Sequence, residues 1–241
     1  MQTGLSVSLS SQLALDRRMT TLADNVANAT TVGFRATEVK FNELVSNQKI
    51  ADVAFVSEGR EFLSTRHGGL TETGGTLDFA IKGDAWFQIE TPAGPTLTRD
   101  GRFMLTEAGE LVTLNGYPVL DPGGAPIQLD GENGPIALSA DGQLNQNGQP
   151  VAALGIFSAD LSGGFIRAGN SGIVTTLPPE PVVDRVDAGV IQGYVEESNV
   201  NAIGEMTQLI QVTRAFEGIA SILRSSEESL NEAVRVLGGS K

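Results

Sequence analysis

Residues 201–237 read NAIGEMTQLIQVTRAFEGIASILRSSEESLNEAVRVL. Apolar side chains fall on two lines in this stretch, alternately three and four residues apart, which is the pattern of a helix packed along another helix. Asn201 is a suitable N-cap, because its side-chain oxygen can accept a free N–H of the first turn. Gly238 and Gly239 follow, and they predict a helix end with a left-handed residue. The helix would be about 50 Å long, so it needs a long helical partner.

A matching apolar pattern lies near the N-terminus, with spacings of four, three and four. We therefore expect the two terminal helices to pair as a coiled coil. The Ser-rich opening, residues 6–11, is a weak helix former, and we expect it to become ordered on assembly. The residues predicted for the pairing, here called the assembly seam, are Leu15, Met19, Leu22, Val26, Leu209, Val212, Phe216, Ile219, Leu223, Leu230 and Leu237.

A second line of the C-terminal helix consists of small residues. Gly218, Ser221, Ser225 and Ser229 are spaced three and four apart, away from the seam, and we call them the close-packing stripe. A glycine inside a helix costs about 1 kcal/mol relative to alanine. One interpretation is a solvent-facing stripe; the other is a second packing face, where small residues let a neighbouring backbone come close.

Composition excludes several classes of function. The 241 residues contain no Cys and one His, so disulfides, thiolate chemistry and a two-imidazole site are ruled out, and no metal or cofactor is expected. The net charge is −13, and residues 41–202 hold eight Lys and Arg against twenty-one Asp and Glu. Such an acidic middle argues against nucleic acid as a partner. The two ends of the chain are nearly neutral, so copies can pack through their ends without strong repulsion. From the sequence we expect neither a membrane span nor a cleavable signal peptide.

Between the helices the pattern changes twice. Residues 1–34 are predicted as the N-terminal helix, which ends near Gly33, and residues 35–76 as an extended connecting segment with many glycines. Residues 77–195 alternate apolar and polar residues and contain repeated Asn-Gly and Asp-Gly turns, which predicts a β-rich domain that folds alone, with one strand over 188–195. Residues 196–241 return to helix. The predicted class is α+β, with a mainly antiparallel β domain inserted between paired helices.

Two sets of charged residues are candidates for a catalytic site or a subunit contact. Carboxylates near Trp86 could form a glycosidase-like pair beside a sugar-stacking ring, but the simpler interpretation places them on the polar side of strands and turns, so no enzyme is predicted. These carboxylates are Asp78, Asp84, Glu90 and Asp100. Arg99 and Arg102 flank a turn, and we interpret them as partners for acidic residues of a neighbouring subunit, with an ordinary surface turn as the alternative. A catalytic or metal role for His67 is not expected.

Four segments, in order, resemble bacterial flagellar basal-body rod proteins of the rod–hook family. They are NVANATTVGFR (25–35), LDFAIKGDAWFQIE (77–90), LTRDGRFMLTEAGELVTLNGYPVL (97–120) and EESNVNAIGEMTQLIQVTRAFE (196–217). Ala85 and Leu97 depart from the family pattern, where Gly and Tyr are common. The signature residues implied by the resemblance are Asn25, Asn28, Gly33, Phe34, Ser198, Asn199, Asn201 and Arg214.

The resemblance implies a structural subunit of the proximal rod, the tubular drive shaft that transmits motor torque. The implied partners are other rod proteins, copies of the same chain, and the flagellar type III export apparatus, with location in the rod within the periplasmic space and no membrane insertion. A distal-rod subunit is the alternative within the family. A monomeric β-domain binding module on a helical stalk is the alternative from another class.

Overall fold

The computed structural model describes residues 2–46, 53–57, 59–131, 134–139, 142–169, 171–182 and 188–239. It confirms the α+β class with mainly antiparallel sheets. The helices are α1 (Gln2–Ala27) and α2 (Ala202–Gly238). The strands are β1 (Thr37–Lys40), β2 (Glu43–Ser46), β3 (Val53–Val56), β4 (Arg60–Leu63), β5 (Leu70–Glu72), β6 (Phe79–Lys82), β7 (Trp86–Thr91), β8 (Gly94–Thr98), β9 (Phe103–Leu105), β10 (Leu111–Thr113), β11 (Ile136–Leu138), β12 (Gln143–Gln146), β13 (Gln149–Ala153), β14 (Ile156–Ser158), β15 (Phe165–Ala168), β16 (Gly172–Thr175), β17 (Glu180–Pro181), β18 (Gly189–Gln192) and β19 (Tyr194–Glu196).

The chain divides into two compact units. The helical unit contains residues 1–27, 37–62 and 201–241, and the β unit contains residues 28–36 and 63–200. The β unit is thus larger than the expected domain of residues 77–195 and includes segments adjacent to both helices. One cause is a long-range hydrogen bond, in which the Ser64 N–H donates to the Ala36 carbonyl at 2.8 Å. Neither helix, within the described residues, is long and apolar enough to cross a membrane.

The start of α2 confirms the predicted cap, but its end differs from the prediction. The Asn201 side chain accepts a hydrogen bond from the Gly204 N–H at 3.1 Å, and Glu205 lies in the first turn, where the helix dipole favours a negative charge. The C-cap is Gly239 with φ −95°, so the predicted left-handed residue is absent at Gly238 and Gly239.

Helix α1 is shorter at its C-terminus than predicted. It ends at Ala27, and a turn follows in which the Thr31 N–H donates to the Asn28 carbonyl at 3.1 Å. Gly33, where the helix was expected to end, has φ +70° and lies outside the helix. At the other end the Ser-rich opening lies within α1, where the Ser10 hydroxyl donates to the carbonyl of Val7 at 2.8 Å. Serine can thus bond back to the helix backbone.

The two helices contact each other within the helical unit. Arg18 donates to the Gln208 side chain at 3.2 Å, and Asn25 donates to Glu205 at 3.1 Å. The numbering rises along one helix as it falls along the other, so the helices run antiparallel. Two predicted seam residues, Leu22 and Val212, are buried at 6% exposure each.

The segment 35–76 is not a plain connection. Strand β1 pairs with β4, β2 pairs with β3 in antiparallel register, and β5 pairs with β19. The partner of β5 is more than a hundred residues away, and local sequence patterns contain no sign of such a partner. The segment predicted as an extended connection thus contributes the five strands β1 to β5.

The centre of the β unit is a six-stranded antiparallel sheet with the order β15-β16-β8-β7-β14-β17. Its strand β7 was predicted to be half-buried, but residues 86–89 are buried on both faces. Phe87 belongs to the larger apolar cluster, whereas Trp86 packs with Leu97, Phe157 and others on the opposite face. The predicted alternation is correct, but both faces of the sheet are covered.

The final stretch of the β unit forms two strands rather than the one predicted over 188–195. Gly193, with φ +79°, separates them. Strand β18 pairs with β6, and β19 pairs with β5. The glycine turns the chain from one partner to the next, a conformation that L side chains adopt only at a cost.

Candidate functional site: a buried ionic junction and the helix surfaces

Two signature segments far apart in sequence meet inside the β unit, and we call residues 33–36 and 196–199 the junction. The Gly33 N–H donates to the Glu196 carbonyl at 2.7 Å, and the Asn199 N–H donates to the Phe34 carbonyl at 3.3 Å. The Asn199 side-chain oxygen accepts from the Ala36 N–H at 2.7 Å. These bonds tie together the segments that follow α1 and precede α2.

Gly33 is required at the junction for two reasons. Its φ of +70° is a conformation that L side chains rarely adopt. A Cβ at this position would also overlap the backbone of Arg99 and Asp100. Phe34, the next residue, is 2% exposed and lies beneath the guanidinium of Arg167, 4.2 Å from the ring centroid. This explains physically why the signature needs a glycine followed by an aromatic residue.

At the core of the junction, a buried carboxylate lies beside two buried guanidinium groups. Glu196 is 2% exposed; Arg99 Nε donates to its carboxylate, and Arg35 Nε lies 3.5 Å from the other oxygen. Arg99, 1% exposed, also donates to three backbone carbonyls, those of Ile81, Gly83 and Ala85. The interpretation of Arg99 as a partner for a neighbouring subunit is therefore wrong, because its charge is used inside the chain.

Trp86 packs beside the two arginines at the junction. The guanidinium carbons of Arg35 and Arg99 lie 5.9 and 5.8 Å from its ring centroid, which is cation–π distance. Burial, and secondly the charge of Arg99, lowers the pKa of Arg35 to about 10. The indole ring is 7% exposed, so it packs on a sheet face, as predicted, rather than forming a sugar platform.

His67 lies at the outer edge of this cluster. Its Nδ1 is 2.7 Å from Arg35 Nη2, so Nδ1 accepts the hydrogen bond, and its Nε2 is 3.4 Å from the carboxylate of Asp84. Burial, followed by the charges of Arg35 and Arg99, lowers the pKa of His67. The imidazole is therefore a neutral acceptor for a buried arginine.

The remaining charged residues near Trp86 serve turns. Arg102 makes two hydrogen bonds to Asp100, at 2.9 and 2.7 Å, and this pairing raises the pKa of Arg102. Asp78 accepts from the Thr73 hydroxyl at 2.5 Å. Within its own chain, Arg102 therefore stabilises a turn.

The other signature residues have structural positions of their own. Asn25 is 2% exposed and exchanges two 2.9 Å hydrogen bonds with the backbone of Thr37. Asn28 accepts from the Thr31 hydroxyl at 3.1 Å, and Ser198 accepts from the Val200 N–H at 3.3 Å. Asn201 caps α2, as described above, and Arg214 is exposed.

The assembly seam is buried unevenly in the isolated chain. Leu22 and Val212 are buried, whereas Leu237 is 84% exposed. The side chain of Leu230 lies outside the described residues. The other seam residues are half-buried, and they are Leu15, Met19, Val26, Leu209, Phe216, Ile219 and Leu223.

The close-packing stripe and a second apolar line lie on the surface of α2. Ser221, Ser225 and Ser229 are exposed, and a Cβ added at Gly218 would meet no atom within 4 Å. An exposed apolar line, not noticed in the sequence, is formed by Ile203 (78%), Met206 (45%) and Ile210 (55%). Its spacing of three and four residues is the signal that could have revealed it.

Comparison with known proteins gives matches along the whole chain. The family described as "Flagella basal body rod protein" matches residues 5–35, "Flagellar hook protein FlgE/F/G D1 domain" matches residues 80–149, and "Flagellar basal body rod FlgEFG protein C-terminal" matches residues 191–236. The junction thus combines residues from the edges of the first and third matches, since Arg35 ends one and Glu196 lies near the start of the other.

Curated relatives extend over full lengths. The flagellar basal-body rod protein FlgF of Rhizobium meliloti is 63% identical over 241 residues, with 100% of both chains covered. FlgF of Mesorhizobium japonicum is 57% identical over 238 residues, with 99% of both covered. FlgG of Bacillus subtilis, also a flagellar basal-body rod protein, is 30% identical over 252 residues, with 91% of this chain and 93% of that protein covered. The chain belongs to the FlgF family of flagellar basal-body rod proteins.

Proposed function

We propose that the chain is a structural subunit of the flagellar basal-body rod and that it assembles through its terminal helices. In this proposal α1 and α2 pair as a coiled coil along the assembly seam, and neighbouring subunits enclose each pair to form a tube. The relatives named above are rod proteins rather than enzymes, in line with the expectation of a chain without catalytic function. The domain limits predicted from the sequence, at 34, 76 and 195, remain part of this proposal.

The observation that carries the proposal is the unsatisfied apolar surface of α2. Ile203 and Leu237, near opposite ends of the helix, are 78% and 84% exposed, and the stripe around Gly218 is open. Exposure of this surface to water is unfavourable for a monomer, because burial of apolar area contributes about 25 cal/mol of favourable free energy per Å². Neighbouring helices in a tube would cover it.

The junction suits a part that bears load. Its buried carboxylate is held by two arginines, and its backbone segments are bonded to each other. Removing one partner of a buried ion pair is strongly unfavourable, so such a junction resists local opening. We propose that it keeps the β unit rigid while the rod transmits torque.

Further partners and the location follow from the family. We propose that the chain contacts other rod proteins, is secreted by the flagellar type III export apparatus without a cleaved signal peptide, and resides in the periplasmic part of the rod. The match to FlgF relatives over the full length supports the proximal rod as its position.

The test is to delete the gene in the parent bacterium and to restore it on a plasmid. We expect loss of swimming in soft agar on deletion, recovery on complementation, and the chain in purified basal bodies by immunoblot. Normal swimming after deletion, or basal bodies that lack the complemented chain, would overturn the proposal.

A further inference from the structure

A cleft on the β unit shares Ile89 with the apolar core and Arg167 with the surroundings of the junction, but most of its lining belongs to neither. Its volume is about 720 Å³, and it opens between the β7–β8 hairpin, strands β15 and β16 and the turn at residues 114–116. Its size falls in the range of binding clefts. Its lining includes Ile89, Thr91, Thr96, Leu114, Tyr117 and Ile166.

The walls of the cleft combine exposed apolar side chains with hydroxyl groups. Leu114 is 55% exposed and Ile166 is 73% exposed, and neither belongs to an apolar core cluster. Threonine hydroxyls also line the cleft, but those of Thr91 and Thr96 bond to each other and to the Gly94 carbonyl. The exposed apolar pair therefore suits an apolar side chain of a short extended peptide.

The charge of the cleft indicates an acidic ligand. Arg102 lines it and bonds to Asp100 through Nε and Nη2, whereas its Nη1 makes no hydrogen bond within the described part of the chain. Arg167 also lines the cleft. Asp100 lines the cleft as well, so the lining keeps one net positive charge. The chain as a whole carries a net charge of −13, and this lining therefore attracts the acidic surface of another copy.

One segment of the chain has the matching chemistry. Leu177 is 40% exposed, Pro178 and Glu180 are exposed, and residues 177–181 read LPPEP. Prolines fix φ, and strand pairing of β17 with β14 holds the end of the segment. A segment ordered in advance loses little conformational entropy on binding, and Glu180 supplies the carboxylate for Arg102.

We propose that the cleft binds residues 177–181 of a second copy of this chain, with Leu177 between Leu114 and Ile166 and with Glu180 beside Arg102. The contact joins two different surfaces and is therefore heterologous, the type of contact that propagates into helical assemblies rather than closing a dimer. This inference rests on the proposed function as a rod subunit.

The chain has no cysteine, so engineered disulfides give an unambiguous test. Two tagged full-length chains, one with Leu114→Cys and one with Leu177→Cys, would be co-expressed in the deletion strain, and basal bodies would be purified under mild oxidation. We expect a heterodimer band that carries both tags, whereas either variant alone gives no dimer. The matched control uses Val151→Cys in place of Leu177→Cys, because Val151 is an exposed residue of β13.

A charge reversal tests the polar half of the contact. Glu180→Lys in the chain with Leu177→Cys should reduce the heterodimer yield by about threefold or more, since it replaces attraction to Arg102 by repulsion. The same reversal at the exposed Glu107 should leave the yield unchanged.

The outcomes separate the two proposals. Three results would overturn the docking contact and leave the rod function standing. They are basal bodies that contain both variants but no heterodimer, an equal heterodimer yield with Val151→Cys, and a cross-link to a different protein. Absence of the wild-type chain from basal bodies would overturn the rod function and this inference with it.

Discussion

Glu196 shows how one residue can hold the β unit together. Its carboxylate accepts from Arg99 and lies 3.5 Å from Arg35 Nε, and all three side chains are at most 5% exposed. Ion pairs at the surface contribute little to stability, whereas breaking a buried pair leaves an uncompensated charge in a dry site. Glu196, two residues before the signature Ser198, is therefore a structural centre of the unit.

We expect Glu196→Gln to lower the free energy of unfolding of the β unit by about 3–5 kcal/mol, because two arginines lose their counter-charge. Urea unfolding followed by fluorescence reports this directly, since Trp86 is the single tryptophan and lies at cation–π distance from both arginines. The control is Glu107→Gln, the same change at an exposed site, which should alter the free energy by less than about 0.5 kcal/mol. Equal effects would contradict the role given to the junction.

His67 makes the junction sensitive to pH. Its pKa is lowered from 6.5 in the folded chain, so just below pH 6.5 the unfolded chain binds more protons than the folded one. The free energy of unfolding should therefore fall as pH drops below 6.5, and this fall should end below the folded pKa. Protonation at Nδ1 would also remove the acceptor for Arg35.

Urea midpoints between pH 8 and pH 5 would measure this effect, and the chain has no other histidine to titrate there. We expect His67→Gln to remove the part of the pH dependence that lies just below pH 6.5. Parallel pH profiles for the wild type and the variant would show that His67 does not titrate against the junction.

Among the described elements, α2 carries more exposed large apolar side chains than any other. In the proposed tube, the seam faces α1 while the stripe around Gly218 and the line from Ile203 to Ile210 face other subunits. Gly218 is exposed, and a Cβ added there would meet no atom of the described residues within 4 Å, so a larger side chain extends from the surface of the isolated chain. A defect caused by such a side chain must therefore arise from a neighbour.

We expect Gly218→Leu to be folded and secreted but absent from purified basal bodies. Leucine is a better helix former than glycine by about 1 kcal/mol, so the helix itself gains, whereas a close neighbouring backbone cannot accept the added side chain. Swimming in soft agar and immunoblots of secreted and basal-body fractions measure the outcome.

Glu217→Leu provides the control for this experiment. Glu217 is exposed on α2 and belongs to neither the seam nor the stripe, and the variant adds the same side chain next to Gly218 in sequence but about 100° away around the helix. It should swim normally. Wild-type swimming by Gly218→Leu as well would show that the stripe faces solvent.

At the scale of the whole molecule, the β unit is built from two separate segments of the chain. Residues 28–36 contribute Gly33, Phe34 and Arg35, and residues 63–200 contribute the sheets. A fragment limited to 77–195 would lack Glu196 and leave Arg99 without its counter-charge. The compact unit can be complete only when segments from both ends of the β region are present.

We therefore expect a fragment of residues 28–36 joined to residues 63–200 by a short Gly-Ser linker to fold as a stable unit. The linker is feasible because Ala36 and Ser64 are already hydrogen-bonded to each other at 2.8 Å. Its urea midpoint by Trp86 fluorescence should lie well above that of the fragment 77–195. Equal midpoints would show that the junction adds nothing to the β unit.

Sequence patterns alone predicted the features that depend on near neighbours in the chain. The seven-residue spacing from Leu209 to Leu237 predicted α2, and Asn201 was identified as its cap, because helix periodicity and capping act over three or four residues. The alternation around Phe87 predicted a strand. The rod-family resemblance is confirmed by the relatives.

The tertiary structure decided the contacts between residues far apart in the chain. Glu196 and Arg99 are 97 residues apart, and no local pattern marks a carboxylate as the partner of a particular arginine; Arg99 was accordingly assigned to a neighbouring subunit. The break at Gly193 was likewise missed, because it depends on two different partner strands. Periodicity shows which face of an element is apolar, but what covers that face is set by long-range packing.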